Sequence, residues 1–151
     1  MAGSGQHERL PRGLRNNNPG NLRHSGMRWQ GLKAEQTDKE FCQFTTIVWG
    51  YRALAKTLLT YQRKYGLRTV TAIICRWAPQ TENDTESYIR AVCRITGFKP
   101  MERLNLEKAG VLKAVAGAIS QHENGRAVCE RDVAAGVKLA LEGDSHSATL
   151  P

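Results

Sequence analysis

The stretch from Thr46 to Gly66, TIVWGYRALAKTLLTYQRKYG, decides the fold of this 151-residue chain. Its apolar residues recur three and four positions apart, the spacing that places side chains on one face of an α-helix. They are Val48, Tyr51, Leu54, Ala55, Leu58, Leu59 and Tyr61. Gly66 ends the pattern, because glycine readily takes the left-handed conformation that follows many helices. The stretch therefore predicts a central amphipathic helix.

Four further helices are predicted on the C-terminal side of this stretch. Thr69 and Asn105 are candidate caps, segment 81–85 is rich in capping side chains, and Pro79 is a stop signal. The apolar runs between these signals place the helices at Val70 to Trp77, Tyr88 to Ile95, Asn105 to the segment 121–125, and Glu130 to Leu141.

The N-terminal side has a different pattern. From Asn16 to Phe44, asparagine, glycine and proline separate short apolar runs, which indicates turns and a small β-hairpin lobe. A hydrophobic content of 40% is enough for one core. The sequence therefore predicts a mainly α (α+β) single domain of five helices over residues 13–142, with flexible tails at 1–12 and 143–151.

The formal net charge of +8 predicts attraction to a polyanion, such as nucleic acid, an anionic lipid surface or a bacterial cell wall. Neither a recognition helix nor an aromatic and basic motif is present, so a nucleic-acid partner is not predicted. The sequence shows neither a secretory signal nor a transmembrane segment. Its four cysteines and four histidines lack metal-ligand spacing, so we predict no metal and no cofactor.

Glu123 is the candidate catalytic acid. It follows an apolar helical run and directly precedes Asn124 and Gly125, a natural helix stop. A helix C-terminus carries partial negative charge, which disfavours an ionised carboxyl group there. Glycoside hydrolysis needs a protonated carboxyl group, because the leaving oxygen must receive a proton. A solvated glutamate in a capping turn is the alternative interpretation.

The segment from Arg15 to Arg23, RNNNPGNLR, contains four side-chain amides, of which we take Asn17, Asn18 and Asn21 as candidate sugar ligands. Amides offer both donors and acceptors to sugar hydroxyl and N-acetyl groups. Turn formation explains asparagine and glycine in such a segment equally well.

Flat aromatic faces and a second carboxylate complete the set of candidates. Trp29 in the polar lobe is the best candidate for stacking on a sugar ring; Trp77 and Tyr88 are further ones, and core packing is the alternative for all three. Glu35 and Asp38 are candidate second carboxylates, unless they belong only to a charged hairpin surface.

Taken in order, these motifs resemble a family of small phage and prophage proteins that are described as virion proteins and peptidoglycan hydrolases. The similarity runs from Arg12 to Leu141. It rests on RGLRNNNPGNL at 12–22, WQG at 29–31, Phe41 to Phe44, GYRA at 50–53, RWAP at 76–79, ENDT at 82–85 with Tyr88, and HENG at 122–125.

A looser resemblance links the chain to lysozyme-like glucosaminidases and lytic transglycosylases. In those enzymes a helix ending in glutamate precedes a segment rich in asparagine and glycine, whereas here the order is inverted. The resemblance thus implies a circularly permuted lysozyme-like fold, in which Glu123 faces the asparagine segment across a cleft and cleaves MurNAc–GlcNAc bonds. Lysozyme-like transglycosylases operate with one essential glutamate, assisted by the sugar's N-acetyl group, so a second acid is not required.

The same resemblance implies the partners and the location. Peptidoglycan is the expected substrate, virion or tail proteins are possible partners, and the protein is expected to be a monomer. Synthesis in the host cytoplasm would be followed by incorporation into the virion or release to the periplasm. The alternative function is that of a noncatalytic virion structural protein or cell-wall-binding protein.

Overall fold

The computed structural model describes residues 10–79 and 84–149, and this part of the chain contains six α-helices. They are α1 (Arg12–Arg15), α2 (Ile47–Tyr65), α3 (Val70–Trp77), α4 (Thr85–Thr96), α5 (Ala109–Asn124) and α6 (Glu130–Thr149). The predicted mainly α fold is confirmed: all five predicted helices are present, and the short α1 is an addition.

The helix ends obey local capping chemistry at most of the predicted positions. The side chains of Thr69 and Asp84 each accept the third backbone N–H of the helix that follows, at 3.1 Å. Gly66, Gly97 and Gly125 close α2, α4 and α5 with left-handed φ values of 68°, 82° and 68°. The predicted capping residues Thr81, Glu82 and Asn83 lie outside the described residues.

Two helix boundaries differ from the prediction. Asn105 does not cap α5, which begins after Lys108 without a side-chain cap. Instead, Asn105 Oδ1 accepts the side-chain amide of Gln62 and the backbone N–H of Glu107, both at 3.0 Å. Helix α6 continues to Thr149, beyond the predicted end at Leu141, so its backbone is helical where we expected a tail.

The prediction of a β-hairpin in the N-terminal lobe is also corrected. Within the described residues, the N-terminal lobe contains only two isolated antiparallel bridges, Arg23 with Phe41 and Leu32 with Phe44. Side chains replace the missing ladder: Gln43 alone exchanges hydrogen bonds with Gln36, Thr37 and other lobe residues. Arg12, placed in a tail by the sequence, belongs to this lobe because it pairs with Asp38 and Glu40.

The main core lies between α2 and the helices that surround it. Helix α2 packs most extensively on α6, and α5 lies against α4 and α6. Gly136 of α6 permits the close approach, because a Cβ there would collide with Tyr51 of α2. Among the largest side chains buried in the core are Leu54, Leu58 and Leu59 of α2, Ile73 of α3, Val92 of α4, and Leu112, Val115 and Ile119 of α5. Each such side chain contributes about 1.5–3 kcal/mol on burial.

A smaller apolar cluster fixes the N-terminal lobe against α2. Cys42 and Phe44 of the lobe and Ala53 of α2 are buried in it. Leu22, Trp29, Leu32 and Trp49 are half-buried around them. This cluster holds the segment between Asn16 and Phe44 in place beside the main core.

Candidate active site

The C-terminal end of α5 carries Glu123 to the N-terminal lobe. The next residue, Asn124, is only 7% exposed and donates its side-chain amide to the carbonyl oxygens of Pro19 and Ser120, both at 2.9 Å. Because Pro19 precedes Asn124 by 105 positions, this contact joins the two parts of the chain that the sequence analysis brings together. The end of α5 is therefore clamped to the segment 16–22, called here the asparagine loop.

Buried side-chain amides give the asparagine loop its shape. Asn18 is fully buried, and its amide nitrogen donates to the carbonyl oxygens of Leu22 and Cys42 while its Oδ1 accepts the N–H of Leu22. Asn17 has a left-handed φ of 53° and donates to the carbonyl oxygen of Phe44. The polar atoms of Asn18 are used inside the loop, and neither Asn17 nor Asn18 lines the open compartments described below, so the sugar-binding roles predicted for both are corrected.

Two glycines allow the loop to approach the helices closely. A Cβ at Gly50 of α2 would collide with the backbone carbonyl of Asn17. A Cβ at Gly13 of α1 would lie 2.5 Å from Asn124 Oδ1 and 2.9 Å from Asn21 Oδ1. Both of these oxygens are buried without a hydrogen-bond partner in the described part of the chain. The amide nitrogens of Asn21 and Asn124 therefore donate to groups around the end of α5, while their oxygens face Gly13 of α1.

The Glu123 carboxylate accepts two hydrogen bonds from side chains far away in the sequence. Asn21 Nδ2 donates to Oε1 and the Tyr88 hydroxyl donates to Oε2, both at 2.8 Å. The Tyr88 oxygen in turn accepts the Trp77 indole N–H at 3.1 Å. Trp77, Tyr88, Glu123 and Asn21 therefore form one continuous hydrogen-bonded network, and four of the predicted site residues meet in it.

Tyr88 is the most deeply buried member of this network. It is 2% exposed, and the ring of His122 lies against it with the centroids 3.9 Å apart. Burial, followed by the nearby negative charge of Glu123, raises the pKa of Tyr88 far above its ordinary value. The phenol consequently remains protonated and keeps donating to Glu123. Its burial also means that Tyr88 orients Glu123 and offers no exposed ring face to a sugar, which corrects the stacking role predicted for it.

Glu123 lies where two open compartments of one cleft meet. The larger compartment has a volume of about 430 Å³, and its walls include Asn21, Arg23, Tyr61 and Trp77. The smaller, of about 340 Å³, is bounded by Asp84, Ser87, Tyr88 and His122. Glu123 lines both of them. A ligand in either compartment would therefore lie beside Glu123.

The structure places the other predicted site residues away from the cleft. Trp29 packs in the smaller apolar cluster and does not line either compartment, so its predicted stacking role is corrected. Glu35 is exposed on the lobe and lines neither compartment.

Asp38 holds the N-terminal lobe together through its carboxylate. Its carboxylate accepts two hydrogen bonds from the Arg12 guanidinium at 2.7 Å and one from the Asn16 amide at 2.9 Å. The Arg12 hydrogen bonds are the main cause that holds the pKa of Asp38 well below its usual range. A carboxyl group so committed to an arginine and absent from the cleft walls does not act as the second acid predicted from the sequence.

Some residues of the cleft were missed by the sequence analysis. Arg23, Phe41, Thr57 and Tyr61 line the larger compartment. Thr57 and Tyr61 are four positions apart on α2 and so share one face of the helix, a signal that was present in the sequence. Arg23 and Phe41 reach the cleft through the bridge that joins them, and no periodic pattern in the sequence marks that bridge.

The described part of the chain offers neither a cluster of metal ligands nor a membrane-spanning helix. In residues 10–79 and 84–149, three His, Cys, Asp or Glu side chains nowhere gather closely enough to hold a metal ion. Across the same residues, every helix is too short or too polar to span a bilayer.

Comparison with known proteins gives one relative of clear similarity. No family model matches the chain. Protein P5 of Pseudoalteromonas phage PM2 is 45% identical over 117 residues, which cover 76% of this chain and 71% of the relative. At this identity and coverage, the chain belongs to the same family as Protein P5 of that phage.

Proposed function

We propose that this protein is a phage peptidoglycan glycosidase that cleaves MurNAc–GlcNAc bonds with Glu123 as its general acid. One observation carries the proposal: Glu123 lines an open cleft, and its carboxyl group is oriented by hydrogen bonds from Asn21 and Tyr88. A glycosidase needs a carboxyl group fixed beside the leaving oxygen of a sugar chain. The contact between the asparagine loop and the C-terminal end of α5 supports a circularly permuted lysozyme-like site.

The hydrogen-bonded network orients the proposed acid and stabilises the charge that it acquires in the reaction. Protonated Glu123 donates to the glycosidic oxygen and becomes a carboxylate. The N–H of Asn21 and the O–H of Tyr88 point at its two oxygens and stabilise the negative charge that remains. Trp77 and Tyr61 provide aromatic walls against which a pyranose ring can lie, and the Arg23 guanidinium suits the lactyl or peptide carboxylates of the wall.

A single acid is compatible with this chemistry. Among the described residues that line the larger compartment, Glu123 is the only acidic one, and Asp84 lines the smaller. Asp84 already caps α4 through the N–H of Ser87. We therefore assign the second half of the reaction to the substrate's own N-acetyl group, as in one-glutamate transglycosylases. The protein is proposed to act as a monomer, carried in the virion or released to the periplasm after synthesis in the host cytoplasm.

The second candidate is a noncatalytic virion protein whose cleft binds the cell wall. The chain is related to a phage protein whose name states no reaction. This relationship favours the second candidate, because a binding protein needs no catalytic activity. The two hydrogen bonds to Glu123 suit it as well, because they are equally a means of closing the asparagine loop on α5. In this case the wild type sediments with purified peptidoglycan but releases no fragments from it.

The test compares Glu123→Gln with Glu35→Gln on purified peptidoglycan. Both variants replace a glutamate with its uncharged amide, but only Glu123 lines the cleft. The proposal predicts that the wild type and Glu35→Gln clear the suspension at equal rates. Loss of a general acid slows Glu123→Gln by about 100-fold to 10,000-fold. Equal clearing by Glu123→Gln would show that the acid is wrongly assigned, and no clearing by any of the three would support the second candidate.

A further inference from the structure

A second concave site lies at the N-terminal end of α5, remote from the cleft. It has a volume of about 400 Å³ and is lined by Arg68, Arg103, Lys108, Asn105, Glu102 and Phe98, among others. We call it the basic pocket. Lys108 precedes Glu123 by fifteen positions along α5, which separates them by roughly 22 Å at about 1.5 Å per residue. A ligand in this pocket therefore does not reach the Glu123 cleft.

The three cations of the basic pocket lack carboxylate partners. Of the described carboxylates, none forms an ion pair with Arg68, Arg103 or Lys108, whereas Arg12, Arg63 and Lys113 elsewhere are paired. Glu102 is the single acid in the lining, and its Oε1 accepts the backbone N–H of Lys99 at 3.0 Å. An excess of two positive charges therefore surrounds the pocket. A concave site lined by one sign of charge concentrates counter-ions of the opposite sign.

Hydrogen bonds within the protein hold the backbone of the pocket's loop. Gln62 is 4% exposed, and its two side-chain ends hold the pocket's loop: Oε1 accepts the N–H of Leu106 at 2.6 Å and Nε2 donates to Asn105 Oδ1 at 3.0 Å. The N–H of Leu104 donates to the carbonyl oxygen of Arg68 at 2.7 Å. Asn105 itself lines the pocket, and its Oδ1 is held by Gln62 and by the N–H of Glu107. Binding then costs little ordering of the backbone.

We propose that the basic pocket binds the phosphate group of an organic phosphate ester. Two guanidinium groups and an ammonium group match the oxygens of a phosphate, which guanidinium groups bind with paired hydrogen bonds. The excess of two positive charges suits the one or two negative charges that a phosphate ester carries at neutral pH. The volume exceeds that of phosphate alone, and Phe98 provides an apolar wall for the organic part. This site is independent of the reaction proposed for Glu123.

The experiment titrates the full chain with glycerol 3-phosphate at low ionic strength, using isothermal titration calorimetry. The pocket variant replaces Arg68, Arg103 and Lys108 with glutamine. The control replaces the exposed cations Lys39, Arg131 and Lys138 with glutamine, so that the net charge of the two variants is equal. We expect saturable binding by the wild type and the control, and a loss of roughly tenfold or more in affinity in the pocket variant.

A second arm identifies the source of the phosphate. Sedimentation with phosphatidylglycerol vesicles, compared with phosphatidylcholine vesicles, tests a lipid headgroup. Binding to phosphatidylglycerol that the pocket variant loses assigns the site to a lipid headgroup, and pocket-dependent binding of glycerol 3-phosphate alone assigns it to a free ester. The absence of saturable binding in both arms, or an equal loss in the pocket variant and the control, would overturn the proposal.

Discussion

Replacing Tyr88 with phenylalanine removes one oxygen atom from the centre of the Glu123 network. The ring stays buried against His122, but the Glu123 carboxylate loses its hydroxyl donor and the Trp77 N–H loses its acceptor. A hydrogen bond to a charged group contributes about 1.5–3 kcal/mol to stability. Because Glu123 is half-buried and water can reach it, we take the lower part of this range, about 2 kcal/mol. For a domain of this size that lowers the melting temperature by roughly 4–8 °C.

The same change loosens the position of the proposed acid. Without the Tyr88 hydroxyl, Asn21 alone orients the carboxyl group, and a displacement of about 1 Å at a reacting group costs on the order of 100-fold in rate. Thermal unfolding followed by circular dichroism measures the stability, and the initial rate of peptidoglycan clearing below both melting temperatures measures the activity. Tyr65→Phe is the matched control, because Tyr65 is 44% exposed and lies away from the cleft. A Tyr88→Phe protein with the stability and rate of this control would refute the role given to Tyr88.

Three further predictions concern how the asparagine loop and its lobe are held. Gly50→Ala forces a Cβ into the backbone of the asparagine loop and should destabilise the protein by about 1–3 kcal/mol. At Gly110 of α5 a Cβ meets open space, so Gly110→Ala should stabilise the protein by about 0.5–1 kcal/mol. Chemical unfolding of the two variants should therefore show free-energy changes of opposite sign. Asn18→Ala removes the side-chain partner of the Leu22 N–H and of the Cys42 carbonyl oxygen and should cost about 3 kcal/mol, seen as a lower denaturation midpoint; an unchanged midpoint contradicts the structural role. Asp38 has a lowered pKa when folded, so its pairing with Arg12 contributes stability above about pH 4 that is lost as the pH falls toward the folded pKa; Asp38→Asn should be less stable at neutral pH and show a shallower acid dependence, and a parallel pH profile would exclude this linkage.

The helices were predictable from the sequence because each carries its own local signals. Glycine at positions 66, 97 and 125 follows an apolar helical run and ends the helix in the left-handed conformation, and the spacing of apolar residues marks the buried face. The meeting of Glu123 with Asn21 was also expected, but from the resemblance to lysozyme-like enzymes and not from spacing. Periodicity states that a face is buried and leaves open what covers it.

The roles of individual polar residues were harder to predict, because local sequence does not state whether an amide is satisfied inside the protein. Asn18 and Asn21 are three positions apart in one loop, yet the first is fully buried and bonded to backbone while the second reaches Glu123. Trp29 was taken for a cleft residue because its neighbours are polar, but the apolar cluster that buries it is assembled from distant residues such as Phe44 and Ala53. Asn105 has the chemistry of a helix cap but is held by Gln62, 43 positions away.

The most direct test of the proposed function is mass spectrometry of the fragments that the protein releases from purified peptidoglycan. The proposal predicts glycan fragments that end at MurNAc, either as a reducing end or as an anhydro ring, from the wild type, and their disappearance with Glu123→Gln. Intact glycan strands after prolonged digestion with folded wild-type protein, or the same fragments from both proteins, would contradict Glu123 as the acid of a glycosidase.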